Sequence, residues 1–133
     1  MADRPEISVV IPVFNEASTL EELHHRLERT LKGLSRSYEI IFVDDGSTDG
    51  SGDLLRLLHA RDPVVRVVRF NRNYGQHAAV FAGLERSQGE VVVTLDADLQ
   101  NPPEEIPKLL DRIDEGCEVV GGVRTPRHDP LVR

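Results

Sequence analysis

Ile7-Ser-Val-Val-Ile-Pro-Val13, a leucine-studded stretch opening at Ser18-Thr-Leu-Glu21, and Tyr38-Glu-Ile-Ile-Phe-Val43 together set the architecture of this chain. Both outer runs are apolar on consecutive positions, not alternating, which is how strands buried on two faces read. Between them Leu20, Leu23, Leu27, Leu31 and Leu34 recur at three and four, one apolar stripe of a helix. Ser18 and Glu21 have the spacing of a capping box, so the helix is expected to open there. A strand, a helix and a second buried strand make a parallel unit with a right-handed crossover.

The pattern continues outward. Further β-branched runs stand at Val64–Phe70, Val91–Leu95 and Glu118–Val123. Helices are predicted over Ser51–Ala60, stopped by Pro63, and over Gln76–Ser87, where Ala78, Ala79, Ala82 and Gly83 suit close packing on a sheet. A fourth starts at Pro102-Pro103, carries Ile106, Leu109, Leu110 and Ile113 on one face, and ends at Gly116. The expectation is an α/β unit over residues 1–123, an open, mainly parallel sheet flanked by helices, followed by an irregular 124–133 tail.

Composition narrows the function. The 133 residues hold 16 Lys and Arg against 23 Asp and Glu, a net charge of −7, which argues against a general nucleic-acid binder. A hydrophobic fraction of 39% argues against disorder. From Asp96 to Glu118, eight acids face only Lys108 and Arg112. Arg61, Arg66, Arg69 and Arg72 make one basic excess, and Arg124, Arg127 and Arg133 another, either of which suits an anionic ligand. Cys117 is the single cysteine, so no intrachain disulfide forms, and a small buried hydrophobe is the expected role. With no signal pattern and no run of the ~18 apolar residues a membrane span needs, the chain as given is expected to be cytoplasmic.

In open α/β sheets ligands bind beyond the carboxyl ends of the strands, so the residues after each strand carry the functional reading. After the first stands Pro12-Val-Phe-Asn-Glu16, whose asparagine and carboxylate suit a base or ribose, or simply a turn. After the second stands Asp44-Asp-Gly-Ser-Thr-Asp49, where Asp45-Gly46 reads as a tight turn and Ser47 or Asp49 as a helix cap. Asp44 is left without a structural role and is expected to accept from a ribose hydroxyl or base edge. After the third stands Asn71-Arg-Asn-Tyr-Gly-Gln-His77, in which Gly75 allows close approach to a ligand and Asn73 tolerates the left-handed region. His77, in the first turn of a helix, reads as solvated or structural.

The fourth strand end, Leu95-Asp-Ala-Asp-Leu-Gln-Asn101, has the strongest chemistry. In extended backbone Asp96, Asp98 and Gln100 project to one side, three oxygen ligands for a hard cation such as Mg²⁺ or Mn²⁺ beside a phosphate. No Gly-x-x-x-x-Gly-Lys-Ser/Thr loop, no Gly-x-Gly-x-x-Gly and no Gly-x-Ser-x-Gly elbow is present, which removes P-loop NTPases, dinucleotide dehydrogenases and serine hydrolases. An aspartyl phosphatase would leave the Phe14-Asn15-Glu16 and Asn73-Tyr74-Gly75 loops unexplained. A nucleotidyltransferase would want a glycine-rich basic triphosphate loop that Phe14-Asn15-Glu16 does not supply.

The four ordered motifs Val9–Glu16, Val43–Asp49, Asn71–Gln76 and Leu95–Glu104 resemble those of the inverting family-two glycosyltransferases, in particular the polyprenyl-phosphate group to which dolichyl-phosphate mannose synthase belongs. The resemblance implies a GT-A, Rossmann-like fold that binds a nucleoside-diphosphate sugar, expected to be a UDP-sugar, for inverting transfer to a polyprenyl phosphate. It implies that Pro12, Phe14, Glu16, Asp44, Gly75 and Asp96 border the nucleotide sugar and that Asp96, Asp98 and Gln100 hold Mg²⁺ or Mn²⁺ against the diphosphate. It further implies that Asp98, Gln100 and Arg124 serve catalysis, Arg124 near the acceptor phosphate with Arg127 assisting. Such an acceptor already carries its nucleophile as a phosphate oxygen, so a strong general base is unnecessary. Members continue past this length at the cytoplasmic face of a membrane. The chain is therefore expected to be a truncated donor-binding part, poor in transfer by itself, with a homo-oligomer expected through an unpaired sheet edge. The alternative is a catalytically inactive nucleotide-binding or interaction module of the same fold.

Overall fold

The computed structural model describes residues 4–114. In chain order it contains β1 (Ile7–Val13), α1 (Ala17–Lys32), β2 (Tyr38–Asp44), α2 (Ser51–Arg61), β3 (Val65–Arg69), α3 (Gln76–Arg86), β4 (Val91–Thr94), a 3-10 turn (Pro103–Glu105) and α4 (Ile106–Asp114). The strands form one sheet in the order β3-β2-β1-β4, with every pairing parallel. The expected fifth strand at Glu118–Val123, the helix end at Gly116, Cys117, the boundary at 123/124, Arg124 and Arg127 lie outside the described residues.

The consecutive apolar residues of the strands are divided between two faces. Ile7, Val9, Ile11 and Val13 of β1, with Ile40 and Phe42 of β2, join the α1 leucines, Leu55 and Leu58 of α2, and Ile106 and Leu110 of α4 in the larger core. Val10, Ile41 and Val43 point the other way onto Ala79 of α3. Helix α3 approaches this face closely because Gly83 has no side chain: a Cβ there would stand 2.4 Å from Val10 Cγ1. The chain winds from β1 outward to β3, then returns to place β4 on the other side of β1. The winding therefore reverses between β1 and β4, and the carboxyl ends of those two strands flank the crevice where such sheets take ligands.

Three local expectations change. Helix α1 begins at Ala17 with Glu16 as its N-cap and no side-chain cap bond, so the Ser18/Glu21 capping box does not form; its first amide, that of Ala17, is held from another loop. Pro103–Glu105 is a 3-10 turn before α4, clamped to α1 by Arg26, whose Nε and Nη2 donate to Glu104 at 2.9 and 2.6 Å. Strand β4 ends at Thr94, and residues 95–101 turn instead of continuing extended, with Leu99 at φ 67°. The alternation argument for Asp96, Asp98 and Gln100 thus loses its basis, because side chains keep to one side only along extended backbone.

At the opposite end of the sheet the buried Glu39 accepts from Ser8 Oγ (2.6 Å), Arg66 Nη1 (2.7 Å) and the Gln88 amide (2.8 Å), tying three strands and the approach to β4. Burial pushes its carboxyl up, but the bonds from Ser8, Gln88 and Arg66 together outweigh burial and hold it below the ordinary glutamate value of 4.5. A depressed folded value means stability present above the unfolded value and lost as pH falls through the folded one. Urea unfolding should therefore show the wild type's advantage over Glu39→Gln at its largest near neutral pH and shrinking below about pH 4.5; a pH-independent difference would contradict this. Gly83→Ala should destabilise by about 1 kcal/mol or more through overpacking, although the same change in an open helix position stabilises by up to about 1 kcal/mol.

Candidate functional site

The carboxyl ends of β1, β2, β3 and β4 are joined by side-chain to backbone hydrogen bonds that run from loop to loop. The first set fastens the β2–α2 loop to the start of α1. Ser47 Oγ accepts from the Asn15 amide (2.9 Å), Ser51 Oγ from the Glu16 amide (3.0 Å) and Asp49 Oδ2 from the Ala17 amide (3.2 Å). In return Asn15 Oδ1 accepts from the Thr48 amide at 2.8 Å. The chain entering α1 and the first helical amide, that of Ala17, are thus held by a loop about thirty residues away. Asn15 takes φ 54° to make this turn. Its side-chain oxygen, read in the sequence as suited to a base or ribose or simply to a turn, here accepts from Thr48 within the turn.

The second set fastens the β3–α3 loop to β2 through Asp45. Its Oδ1 accepts from the Tyr74 amide (2.7 Å), and its Oδ2 accepts from the Gly75 amide (3.0 Å) and Asn73 Nδ2 (3.1 Å). Gly46, at φ 75°, makes room for this loop: a Cβ there would stand 2.4 Å from the Arg72 carbonyl carbon and 2.5 Å from the Asn73 nitrogen. Gly75 has the permissive conformation expected of it (φ 107°), and its amide serves Asp45; Asn73, which would tolerate the left-handed region, does not take it and acts as a donor. Tyr74 is exposed, with Phe70 against its ring edge-on and the Arg72 guanidinium 5.5 Å from its centroid. His77 is exposed, as the plain reading expects.

Asp44 differs most from its sequence reading. It has no exposed surface, and it does carry a structural role, since Oδ1 accepts from the Ser47 amide at 3.0 Å. Its Oδ2 is buried without a hydrogen-bond partner and has Arg69 Nε at 3.6 Å. Beside it an open groove of about 480 Å³ is lined by Gly46, Ser47, Thr48, Arg69, Phe70 and Asn71.

The third set belongs to the turn after β4. Thr19 Oγ1, in the first turn of α1, donates to the Ala97 carbonyl at 2.7 Å and fixes this turn beside the β1 end. Gln76 Nε2 donates to Asp96 Oδ1 (3.3 Å), and Asp98 Oδ1 accepts from the Gln100 amide (3.0 Å). Glu16 stands in the field of this turn: burial first, then the charges of Asp98, Asp49 and Asp96, raise its carboxyl above the ordinary glutamate value. The Ser51 hydroxyl, followed by the Ser51 and Ala17 amides, holds Asp49 below its ordinary range. Pro12 is half-buried within β1, paired in register with Val43, and Phe14 is 45% exposed at its end.

The donor chemistry suits a hard divalent cation, since Asp96 and Asp98 bring carboxylate oxygens near Glu16, whose carboxyl burial and then the charges of Asp98, Asp49 and Asp96 raise. Among the described residues no three His, Cys, Asp or Glu side chains close into a ready-made cage. Ions such as Mg²⁺ need only one or two protein carboxylates when phosphate oxygens and water complete the shell.

A family model described as glycosyl transferase family 2 matches residues 8–132. The chain belongs to that family. Among its curated relatives, the undecaprenyl-phosphate 4-deoxy-4-formamido-L-arabinose transferase of Pseudomonas paraeruginosa is 55% identical over 129 residues, covering 96% of this chain and 38% of that protein. The Asn-Arg-Asn-Tyr-Gly-Gln-His and Asp-Leu-Gln-Asn-Pro-Pro-Glu-Glu-Ile-Pro wording of this sequence, read by itself, resembles the same transferases. Among solved structures, the mannosyltransferase PcManGT from Pyrobaculum calidifontis, in complex with GDP-Man and Mn²⁺, superposes with a TM-score of 0.71 at 26% identity, over 90% of this chain and 34% of that one. TarS of S. aureus in complex with UDP shares the fold, with a TM-score of 0.67 at 22% identity over 92% of this chain and 38% of its own. The family-2 chain spans 38% of the length of the curated relatives it matches, and no helix among its described residues is long and apolar enough to cross a membrane.

Asp45 does not stand out as a site residue in the sequence, because its partners lie 28 to 30 positions away and no local spacing reveals them. Asp45→Ala should cost about 2–4 kcal/mol in urea unfolding, since it strands two loop amides that bond to a charged acceptor. A loss under about 0.5 kcal/mol, the level of an ordinary surface change, would contradict the clamp.

Proposed function

We propose that this family-2 chain binds a nucleoside-diphosphate sugar, a UDP-sugar in our reading, with Mg²⁺ or Mn²⁺. In the whole protein this binding serves inverting transfer to a polyprenyl phosphate at the cytoplasmic face of a membrane. The observation that carries the reading is the interlocking of the strand-end loops at the point where the winding reverses, with the Asp96–Asp98 turn fastened by Thr19 beside the end of β1. The names of the curated relatives support the polyprenyl-phosphate acceptor, and the complex of PcManGT with GDP-Man and Mn²⁺ supports a nucleotide sugar held with a divalent metal.

In this reading Pro12, Phe14 and Glu16 border the nucleoside from β1. The exposed ring of Phe14 offers a face to a base. Gly75 borders it from the β3–α3 loop, where the Asp45 clamp holds the backbone still. Asp44 borders the nucleoside from the end of β2, where it also fixes Ser47 and through it the Asn15 turn. Asp96, Asp98 and Gln100 would hold the cation, which supplies Lewis-acid neutralisation of the charge on the departing diphosphate. The protein's own part is to hold donor and acceptor in line and to keep water from the reacting carbon. Arg124, with Arg127, is assigned to the acceptor phosphate as an anion-binding cation.

Equilibrium dialysis of a labelled UDP-sugar with Mn²⁺ tests the assignment. Asp98→Ala should weaken binding by at least about tenfold, the scale of losing one charged contact, and should erase the difference between Mn²⁺ and chelator. Unchanged cation-dependent binding in Asp98→Ala would sink it.

A further inference from the structure

We propose that Arg69 is a positioning residue of the nucleotide site, acting through the buried Asp44 carboxylate on the turn that carries Phe14 and Glu16. Asp44 Oδ1 has the Ser47 amide, but Oδ2 has no hydrogen bond, and Arg69 Nε stands 3.6 Å away as its counter-charge. A buried carboxylate deprived of its partner is costly, and it relieves that cost by rotating toward water or admitting it. Either movement releases the Ser47 amide. Ser47 in turn holds the Asn15 amide through its hydroxyl, and Asn15 sits at φ 54° between Phe14 and Glu16. The line of contact is therefore Arg69, Asp44, Ser47, Asn15, from β3 across β2 to the end of β1.

The sequence is built to seat this pair. Gly52, in the first turn of α2, lies under the guanidinium: a Cβ there would stand 2.9 Å from Arg69 Nη2 and 3.0 Å from Asp44 Oδ2. The N-terminus of α2 adds its own favourable field to the carboxylate. Arg69 is itself half-exposed and lines the open groove with Gly46, Ser47 and Asn71, so solvent and small solutes reach it while Asp44 stays covered. An arginine at an edge strand's end reads in the sequence only as part of a basic excess; its position on a buried orphan oxygen gives it a separate role.

The nucleotide arm of the test rests on the function proposed above; the amide arm does not. Amide hydrogen exchange followed by NMR compares wild type, Arg69→Gln, which keeps the stem and loses the charge, and Arg69→Lys, which restores a cation. In Arg69→Gln the Ser47 and Asn15 amides should exchange about tenfold faster while Ile41 and Phe42 amides keep wild-type protection, and Arg69→Lys should recover most of that loss. Methylguanidinium at millimolar concentration, entering the groove beside Arg69→Ala, should likewise slow exchange at Ser47 and Asn15. The Kd for UDP with Mn²⁺ should rise about tenfold in Arg69→Gln, again the scale of one lost charged partner. Wild-type exchange at Ser47 and Asn15 in Arg69→Gln overturns the proposal, as does equal acceleration at Ile41 and Phe42, the mark of general destabilisation. A wild type that fails to bind UDP counts against the donor reading alone, because the exchange data still decide the role of Arg69.

Discussion

Two adjacent carboxylates at the end of β2, Asp44 and Asp45, are both buried, and the manner in which each finds its donors sets the shape of everything around the strand ends. In an apolar strand terminus an unsatisfied carboxylate is expensive, so the surrounding loops are drawn onto these oxygens. Asp45 gathers the Tyr74 and Gly75 amides and the Asn73 side chain, which brings the β3–α3 loop over Gly46. Asp44 gathers the Ser47 amide and the Arg69 charge, and Ser47 passes the constraint on to Asn15. Two neighbouring residues, the last of β2 and the one after it, thereby fix loops on both sides of the strand.

Beside this order negative charge gathers around Glu16. Burial first, then the charges of Asp98, Asp49 and Asp96, raise the Glu16 carboxyl, so that it holds its proton to higher pH than usual. Folding tolerates the arrangement because the loop hydrogen bonds fix it from below: Asp49 is used as a cap for α1 and α2, and the turn after β4 is tied by Thr19. Sites that keep like charges together are the ones where a cation changes the balance.

The buried elements were legible because their signal is local. Strand β1 matches Ile7–Val13 residue for residue, and β2, β3 and β4 differ by a residue or so at their ends. Runs of Val and Ile, leucines at helical spacing and Pro63 as a stop are read within one window of the chain. What misled was also local. Ser18 and Glu21 have capping-box spacing, but Ser47, Ser51 and Asp49 hold the Asn15, Glu16 and Ala17 amides instead, and the helix starts at Ala17. Asp-Ala-Asp-Leu-Gln looked like continued strand, whereas Leu99 at φ 67° and the bond from the Gln100 amide to Asp98 make it a turn. At the site, residue types pointed to the right loops, but which of Asp44 and Asp45 faces what depends on partners in other loops. Arg69, Gly46 and Gly52 acquire their roles only when two distant stretches of backbone are brought within contact.

The most direct test is calorimetric titration of UDP into the protein, with GDP alongside, in the presence of Mn²⁺ and then of a chelator. A donor site of the kind proposed predicts heat of binding for UDP that depends on Mn²⁺, with GDP weaker. Binding that ignores the metal would contradict the role given to Asp96, Asp98 and Gln100, and the absence of binding by either nucleotide would contradict the donor site itself.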